Sequence, residues 1–196
     1  MRARDWLVLL LPALFMAGAL GAPYPKDEVA FEVVERQNFD ALAVHDVTGA
    51  PSTELLTLHL HFLGDGADAD LSPAFAWLRA KANVIVVRDE QGAPFYLTTG
   101  DLSATSGRAT LGATLPTGMA IEMSNAAVGQ CVAAHEILHF LGLGHVEDPT
   151  NIMAPHCTRD MLATAHLEFW QKEKIDSLDA IKATTTHGVE TWVTRG

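Results

Sequence analysis

The sequence predicts a single α/β domain of the α+β type, built on a mixed, twisted β-sheet with helices packed against it. Within residues 54–63, leucine or phenylalanine at 56, 58, 60 and 62 alternates with threonine or histidine at 57, 59 and 61, a pattern typical of a strand with one buried face. A helical stretch from Ser72 to about Ala82 separates this strand from the next apolar segment, which favours a mixed sheet over a sandwich. With 196 residues, 48% of them hydrophobic, the chain can build one substantial core.

The first 22 residues have the pattern of a targeting segment. Arg2 and Arg4 precede an apolar run over residues 6–20, and small residues follow it. This pattern predicts a secretory signal peptide over residues 1–22, a folded domain over residues 23–196, and a secreted, extracellular protein. The alternative is an uncleaved membrane anchor, which is disfavoured because about 15 apolar residues are short for a bilayer span.

The charge of the chain excludes several classes of partner. The net charge is −11 and no cluster of basic residues is present, so neither nucleic acid nor stable insertion into a membrane is expected. Asp65, Asp68 and Asp70 form an acidic turn that could hold calcium, but it lacks the spacing of an EF-hand loop, so calcium is unsupported and a solvated loop is the alternative. We expect a monomer.

The remaining elements follow in chain order. Residues 84–87 are predicted to form an apolar strand buried on both faces, and residues 95–98, 110–115 and 119–123 three further strands. Ser124 or Asn125 is expected to cap a helix over about 126–141. After residue 158 a second helical stretch, to about residue 183, is expected to bury Met161, Leu162, Ala165, Phe169, Leu178 and Ile181.

The helix over 126–141 carries the pattern H-E-x-x-H-x-x-G-x-x-H, which begins at His135. His135 and His139 lie on one helical face, so both imidazoles can bind one ion. Gly142 can end the helix in the left-handed conformation, and His145 can then return as a third ligand. Three protein ligands and one open position are typical of catalytic zinc. The alternative is a histidine-rich surface helix, which leaves these polar groups on an apolar segment without a purpose.

Glu136 is the candidate catalytic residue. It follows the first ligand, about 100° around the helix, and can accept a proton from a zinc-bound water without binding the metal. The pattern therefore predicts a hydrolase with one catalytic Zn²⁺. The alternative is a zinc-binding pseudo-enzyme or binding protein without proteolytic activity; the intact Glu136 argues against it.

Only two cysteines are present, Cys131 and Cys157. In an oxidising compartment such a pair usually forms a disulfide, which would contribute about 3 kcal/mol of stability through loop entropy. Two free buried thiols, or a thiolate bound to zinc, are the alternatives.

The segment from His135 to Pro155 resembles the metzincin clan of zinc peptidases, and most of all its matrixin family. Asp148-Pro149 corresponds to the family's short connection, and Met153 lies eight positions beyond His145, where the family has its Met-turn. The resemblance implies a metzincin-like sheet with a cleft-edge strand near residues 111–115, an active-site zinc helix and a C-terminal helix. It also implies that Met153 forms a hydrophobic floor beneath the ligands.

By this resemblance the protein is a zinc metalloendopeptidase, and its partner is a protein or peptide substrate bound along the edge strand. The chain departs from the family at Leu138, where matrixins usually have glycine, and at His156-Cys157, where they often have a tyrosine after the proline. We expect no pro-domain, because only about 110 residues separate the N-terminal segment from the first ligand. A Cys131–Cys157 bridge would staple the site in place of the family's calcium and structural-zinc loops.

Overall fold

The computed structural model describes residues 42–47, 54–102, 111–115, 118–185 and 188–196. The predicted signal peptide and its boundary with the domain lie outside these residues. Within the described ranges, no helix is both long enough and apolar enough to span a bilayer.

An eight-stranded sheet lies at the centre of the described fold. Its strands are β1 (Leu42–Val47), β2 (Leu56–Leu63), β3 (Val84–Arg88), β4 (Ala93–Thr98), β5 (Gly112–Leu115), β6 (Gly118–Glu122), β7 (Leu178–Thr185) and β8 (Gly188–Arg195). The strand order is β1-β7-β8-β2-β4-β6-β5, and β3 pairs with β2 outside this path. The β2–β3, β2–β4 and β4–β6 pairs are parallel and the others antiparallel, so the predicted mixed sheet is confirmed.

The helices of the described chain are α1 (Ser72–Ala82), α2 (Ala126–Phe140), α3 (Met161–Thr164) and α4 (Phe169–Asp176). Helix α1 has its predicted bounds, and Leu71 is its N-cap residue. Gln130 joins α1 to α2, because its side chain accepts a hydrogen bond from the Ala74 amide and donates one to the Asp70 carbonyl. Both helices bury their apolar side chains against the sheet.

Strands β2 and β3 differ in how well their sequence patterns predict burial. In β2, Leu56, Leu58 and Leu60 are fully buried, as the alternating pattern predicts. In β3, only the first valine is buried, and Val87 is 37% exposed. The prediction of burial on both faces is therefore wrong, because β3 pairs with β2 alone among the described strands.

The predicted C-terminal helix is wrong beyond Asp176. Leu178 and Ile181 are buried, but they lie on strand β7 of a hairpin that pairs with β1 on one side and with β2 through β8 on the other. Opposite β1, Val47 pairs with Leu178 and Asp46 with Ala180, so Asp179 is an extra residue on β7, and this bulge lets the spacing of Leu178 and Ile181 suit a strand as well as a helix. Phe169, expected to be buried, is 76% exposed at the start of α4.

Strand β5 is an edge of the sheet in the described chain, since it pairs only with β6. Helix α2 packs across β5 and β6. The edge strand and the histidine-bearing helix are therefore brought side by side, as the resemblance implies for a cleft-edge strand.

Candidate metal centre and active site

The histidine-bearing helix begins and ends as its sequence predicts. The Asn125 side chain accepts a hydrogen bond from the Val128 amide at 3.4 Å and so caps α2. At the other end, Gly142 has φ = +94°, its amide donates to the His139 carbonyl, and the next amide donates to the Leu138 carbonyl. This pair of bonds is a Schellman motif, which stops the helix and turns the chain back towards its own last turn.

The turn brings His145 against the two histidines of the helix. The Nε2 atom of His145 lies 3.1 Å from Nε2 of His135 and 3.0 Å from Nε2 of His139. Zn–N bonds of 2.0–2.1 Å in tetrahedral geometry separate neighbouring ligand nitrogens by about 3.3 Å. The three nitrogens are therefore spaced to hold one zinc ion, and they form one of the groups in the described chain able to hold a metal.

Backbone carbonyls orient two of these rings. Nδ1 of His135 donates to the Ile152 carbonyl at 2.7 Å, and Nδ1 of His139 donates to the Leu143 carbonyl at 2.8 Å. A neutral imidazole with its proton on Nδ1 has a lone pair on Nε2. The lone pairs of His135 and His139 thus point to the centre of the cluster, where a metal ion can accept them.

Burial keeps the cluster uncharged. Together with the neighbouring imidazoles, it lowers the pKa of His135 to about 3 and that of His145 to about 4. The pKa of His139 is also lowered by burial. The rings are therefore neutral near pH 7, which is the form that binds a metal ion.

Glu136 lies beneath the edge strand. Its side chain is 1% exposed, and Oε2 accepts a hydrogen bond from the Thr114 hydroxyl at 2.6 Å. Burial raises the pKa of Glu136 to about 8, and the bond from Thr114 opposes this shift. A divalent cation held by the adjacent histidines would favour the ionised carboxylate instead.

Met153 is fully buried, and its role as a floor beneath the ligands stays a prediction. Its carbonyl accepts a hydrogen bond from the Val146 amide, next to the third histidine, and its amide donates to Oδ1 of Asn151 at 2.9 Å. Nδ2 of the same Asn151 donates to Oε1 of Gln171 on α4 at 2.8 Å. Asn151 and Gln171 are both fully buried, yet nothing in their sequence context marked them.

The two cysteines meet in the core, where Cys131 lies on helix α2 and Cys157 lies on the segment after Met153. Cys131 and Cys157 are both buried, both are thiols in this structure, and their side chains are hydrogen-bonded. Burial and the neighbouring thiol raise the pKa of Cys157. Neither belongs to the described groups able to hold a metal, which disfavours a thiolate ligand.

Two carboxylates of the acidic turn, those of Asp65 and Asp70, accept hydrogen bonds from nearby groups. Asp65 accepts hydrogen bonds from the amide and hydroxyl of Thr99, and Asp70 accepts one from the Ser72 amide. A second group of possible metal ligands, Asp148, His166 and Glu168, lies at the surface. Nε2 of His166 is 3.4 Å from a carboxylate oxygen of Asp148 and 3.7 Å from one of Glu168. Calcium therefore remains unsupported.

Three converging imidazoles with a buried glutamate beneath an edge strand define the class as zinc metallopeptidase. A family model described as Matrixin matches residues 51–178, well over half of the chain. The chain therefore belongs to the matrixin family of zinc metallopeptidases.

Two solved structures resemble the chain at low sequence identity. A zinc-dependent peptidase from Methanocorpusculum labreanum matches with a TM-score of 0.44 and 15% identity, over 59% of this chain and 99% of that one. Metalloproteinase-II from Bacteroides fragilis matches with a TM-score of 0.43 and 12% identity, over 72% of this chain and 58% of that one. A comparison with curated proteins found no match.

Proposed function

We propose that the protein is a secreted zinc endopeptidase in which His135, His139 and His145 hold the ion and Glu136 activates the attacking water. The observation that carries the proposal is the position of the Glu136 carboxylate. It is fully buried, it follows the first histidine directly, and its Oε1 atom has no hydrogen-bond partner in the described chain. A buried, unpartnered carboxylate oxygen is costly, and proton transfer in catalysis accounts for its retention.

The chain's own groups supply proton transfer and orientation. When bound, zinc supplies a Lewis acid that polarises the scissile carbonyl and makes water more acidic. Glu136 takes the proton from the water and passes it to the leaving amine. The carbonyls of Ile152 and Leu143 hold two ligand rings in place, and the buried Met153 would form the floor below them.

The edge strand supports a polypeptide substrate. The side of β5 away from β6 carries no strand in the described chain, so an extended peptide can add to the sheet there through backbone hydrogen bonds. This mode of binding needs no terminus of the substrate and so favours internal peptide bonds. We expect the active protein to be a monomer.

Secretion and the disulfide complete the proposal. Residues 1–22 have the pattern of a signal peptide, and an oxidising compartment would convert the adjacent Cys131 and Cys157 thiols into a bridge. The paired cysteines would then join helix α2 to the segment that follows Met153.

One preparation can test these proposals. The full chain is expressed in a secreting host, the protein is collected from the medium, and its intact mass gives its first residue. We expect cleavage near residue 22, one zinc per chain, and cleavage of an unstructured protein that stops with a chelator and returns with Zn²⁺. Glu136→Gln should bind zinc equally but cut at least about 1,000-fold more slowly, the loss expected for removing a catalytic base.

The alternative function gives the opposite result. A zinc-binding pseudo-enzyme would bind one zinc per chain without cutting the substrate. Cutting by Glu136→Gln at the parent rate would refute the role of Glu136. Protein found only inside the cells or in their membranes would refute secretion.

A further inference from the structure

The edge strand contributes two side-chain positions to the surroundings of Glu136. Residues that alternate along a strand point to one face, and Gly112 and Thr114 both lie against the glutamate. A Cβ atom at Gly112 would be 2.7 Å from Oε1 and from Cγ of Glu136, and 2.5 Å from Val132. Only a residue without a side chain leaves room for the carboxylate at this position.

At the second position, the hydroxyl of Thr114 lies within hydrogen-bond distance of two acceptor oxygens of Glu136. Its Oγ1 atom is 2.6 Å from Oε2 and 2.9 Å from the backbone carbonyl oxygen of Glu136. The hydroxyl has one hydrogen, so it can donate to only one of these oxygens at a time. The bond to Oε2 leaves Oε1 as the carboxylate oxygen without a hydrogen-bond partner among the described residues.

We propose that Thr114 is a positioning residue, which holds Oε2 of Glu136 and thereby presents Oε1 to the reacting water. The inference rests on the proposed function, because it assumes that Glu136 is the base. It extends that function to a residue on the strand along which the substrate would lie.

The two acceptors allow Thr114 to serve both forms of Glu136. While the carboxylate is ionised, the hydroxyl donates to Oε2, which is the stronger acceptor. After Glu136 takes a proton from water, the hydroxyl can donate to the backbone carbonyl of Glu136 instead. The proton then leaves with the amine, and the first bond re-forms. Thr114 gains and loses no proton of its own.

Two substitutions separate the hydroxyl from the shape of the side chain. Thr114→Val keeps a branched side chain without the hydroxyl, whereas Thr114→Ser keeps the hydroxyl. We expect Thr114→Val to lower kcat about 10- to 100-fold, the range for a hydrogen bond to a charged group, with KM and zinc content unchanged. Thr114→Ser should stay within about threefold of the parent.

Thr99→Val is the matched control. Thr99 also donates to a carboxylate at 2.6 Å, but that carboxylate belongs to the exposed Asp65. Loss of the Thr99 hydroxyl should therefore leave kcat unchanged. A Thr114→Val protein that works at the parent rate, loses its zinc, or is no slower than Thr114→Ser would overturn the proposal. If Thr114→Val does not fold, Thr114→Ala replaces it with the same outcomes.

A structural readout does not depend on activity. In crystals of the parent protein, Oγ1 of Thr114 should lie within about 3 Å of a Glu136 carboxylate oxygen, and in Thr114→Val the carboxylate should turn away from its parent position. An unmoved carboxylate would overturn the inference. A parent protein without zinc-dependent cleavage would instead overturn the proposed function, so the two failures are distinguishable.

Discussion

Single hydrogen bonds to backbone and side-chain oxygens orient the reacting groups of this site. The Ile152 and Leu143 carbonyls fix two histidine rings, and Thr114 fixes Glu136. The histidines and the glutamate were recognisable from their spacing. The two carbonyls were not, because every residue has one and only the folded backbone decides which carbonyl meets a ring.

The buried side chain of Asn151 connects the backbone of Met153 to Gln171 on helix α4 by two hydrogen bonds, and a substitution of Asn151 tests their contribution to stability. Asn151→Ala would remove the acceptor of the Met153 amide and the donor to Gln171, both buried. We expect the free energy of unfolding to fall by about 1–3 kcal/mol, the cost of leaving buried polar groups unpaired. Urea denaturation with saturating zinc measures this change.

The neighbouring Thr150 is the control for that substitution. It is exposed, and its hydroxyl bonds to the partly exposed Asp148, so Thr150→Ala should change the free energy of unfolding by less than about 0.5 kcal/mol. Equal values for the two variants would show that the buried amide network does not stabilise the fold.

At the scale of elements, helix α2 and the segment beyond Met153 are two walls that flank, along the chain, the turn carrying His145. The helix was predictable because its cap, its apolar content and its terminal glycine all agree. The cysteines lie one on each wall, Cys131 one helical turn before the first histidine and Cys157 four residues after the methionine. Their contact makes the walls a unit that a covalent bond could reinforce.

Reduction of the secreted protein tests that bond. A bridge that closes a loop of about 25 residues contributes about 3 kcal/mol by chain entropy. Reductant should therefore lower the melting temperature by roughly 6–12 °C for a chain of this size. A variant with both Cys131→Ala and Cys157→Ala should not respond to reductant. An unchanged melting temperature for the parent would mean that the thiols are not bridged.

At the scale of the whole molecule, the C-terminal hairpin belongs to the same core as the site. The family match ends at residue 178, yet Ile181, Trp192 and Val193 on β7 and β8 are fully buried. The Trp192 ring lies 6.0 Å from the ring of Phe140, the last residue of the zinc helix. The hairpin therefore packs against the element that carries the ligands.

Truncation of Trp192 tests this packing. Trp192→Ala should lower the free energy of unfolding by about 3–5 kcal/mol, the usual cost of removing a large buried aromatic side chain. Val189→Ala on the same strand is the control, because Val189 is 71% exposed and its truncation should cost less than about 0.5 kcal/mol. A Trp192→Ala protein as stable as this control would show that the hairpin is dispensable to the core.

The sequence alone determined the chemistry: His135, Glu136, His139 and Gly142 lie within one helical segment, so local periodicity fixes which residues share a face. It also determined β2 and α1, whose patterns are local. Only the tertiary structure decided that residues 178–185 and 188–195 form strands, because their apolar spacing suits a helix as well and pairing with distant strands settles the choice. It likewise decided that Thr114 meets Glu136, a contact between residues 22 apart that no local rule predicts.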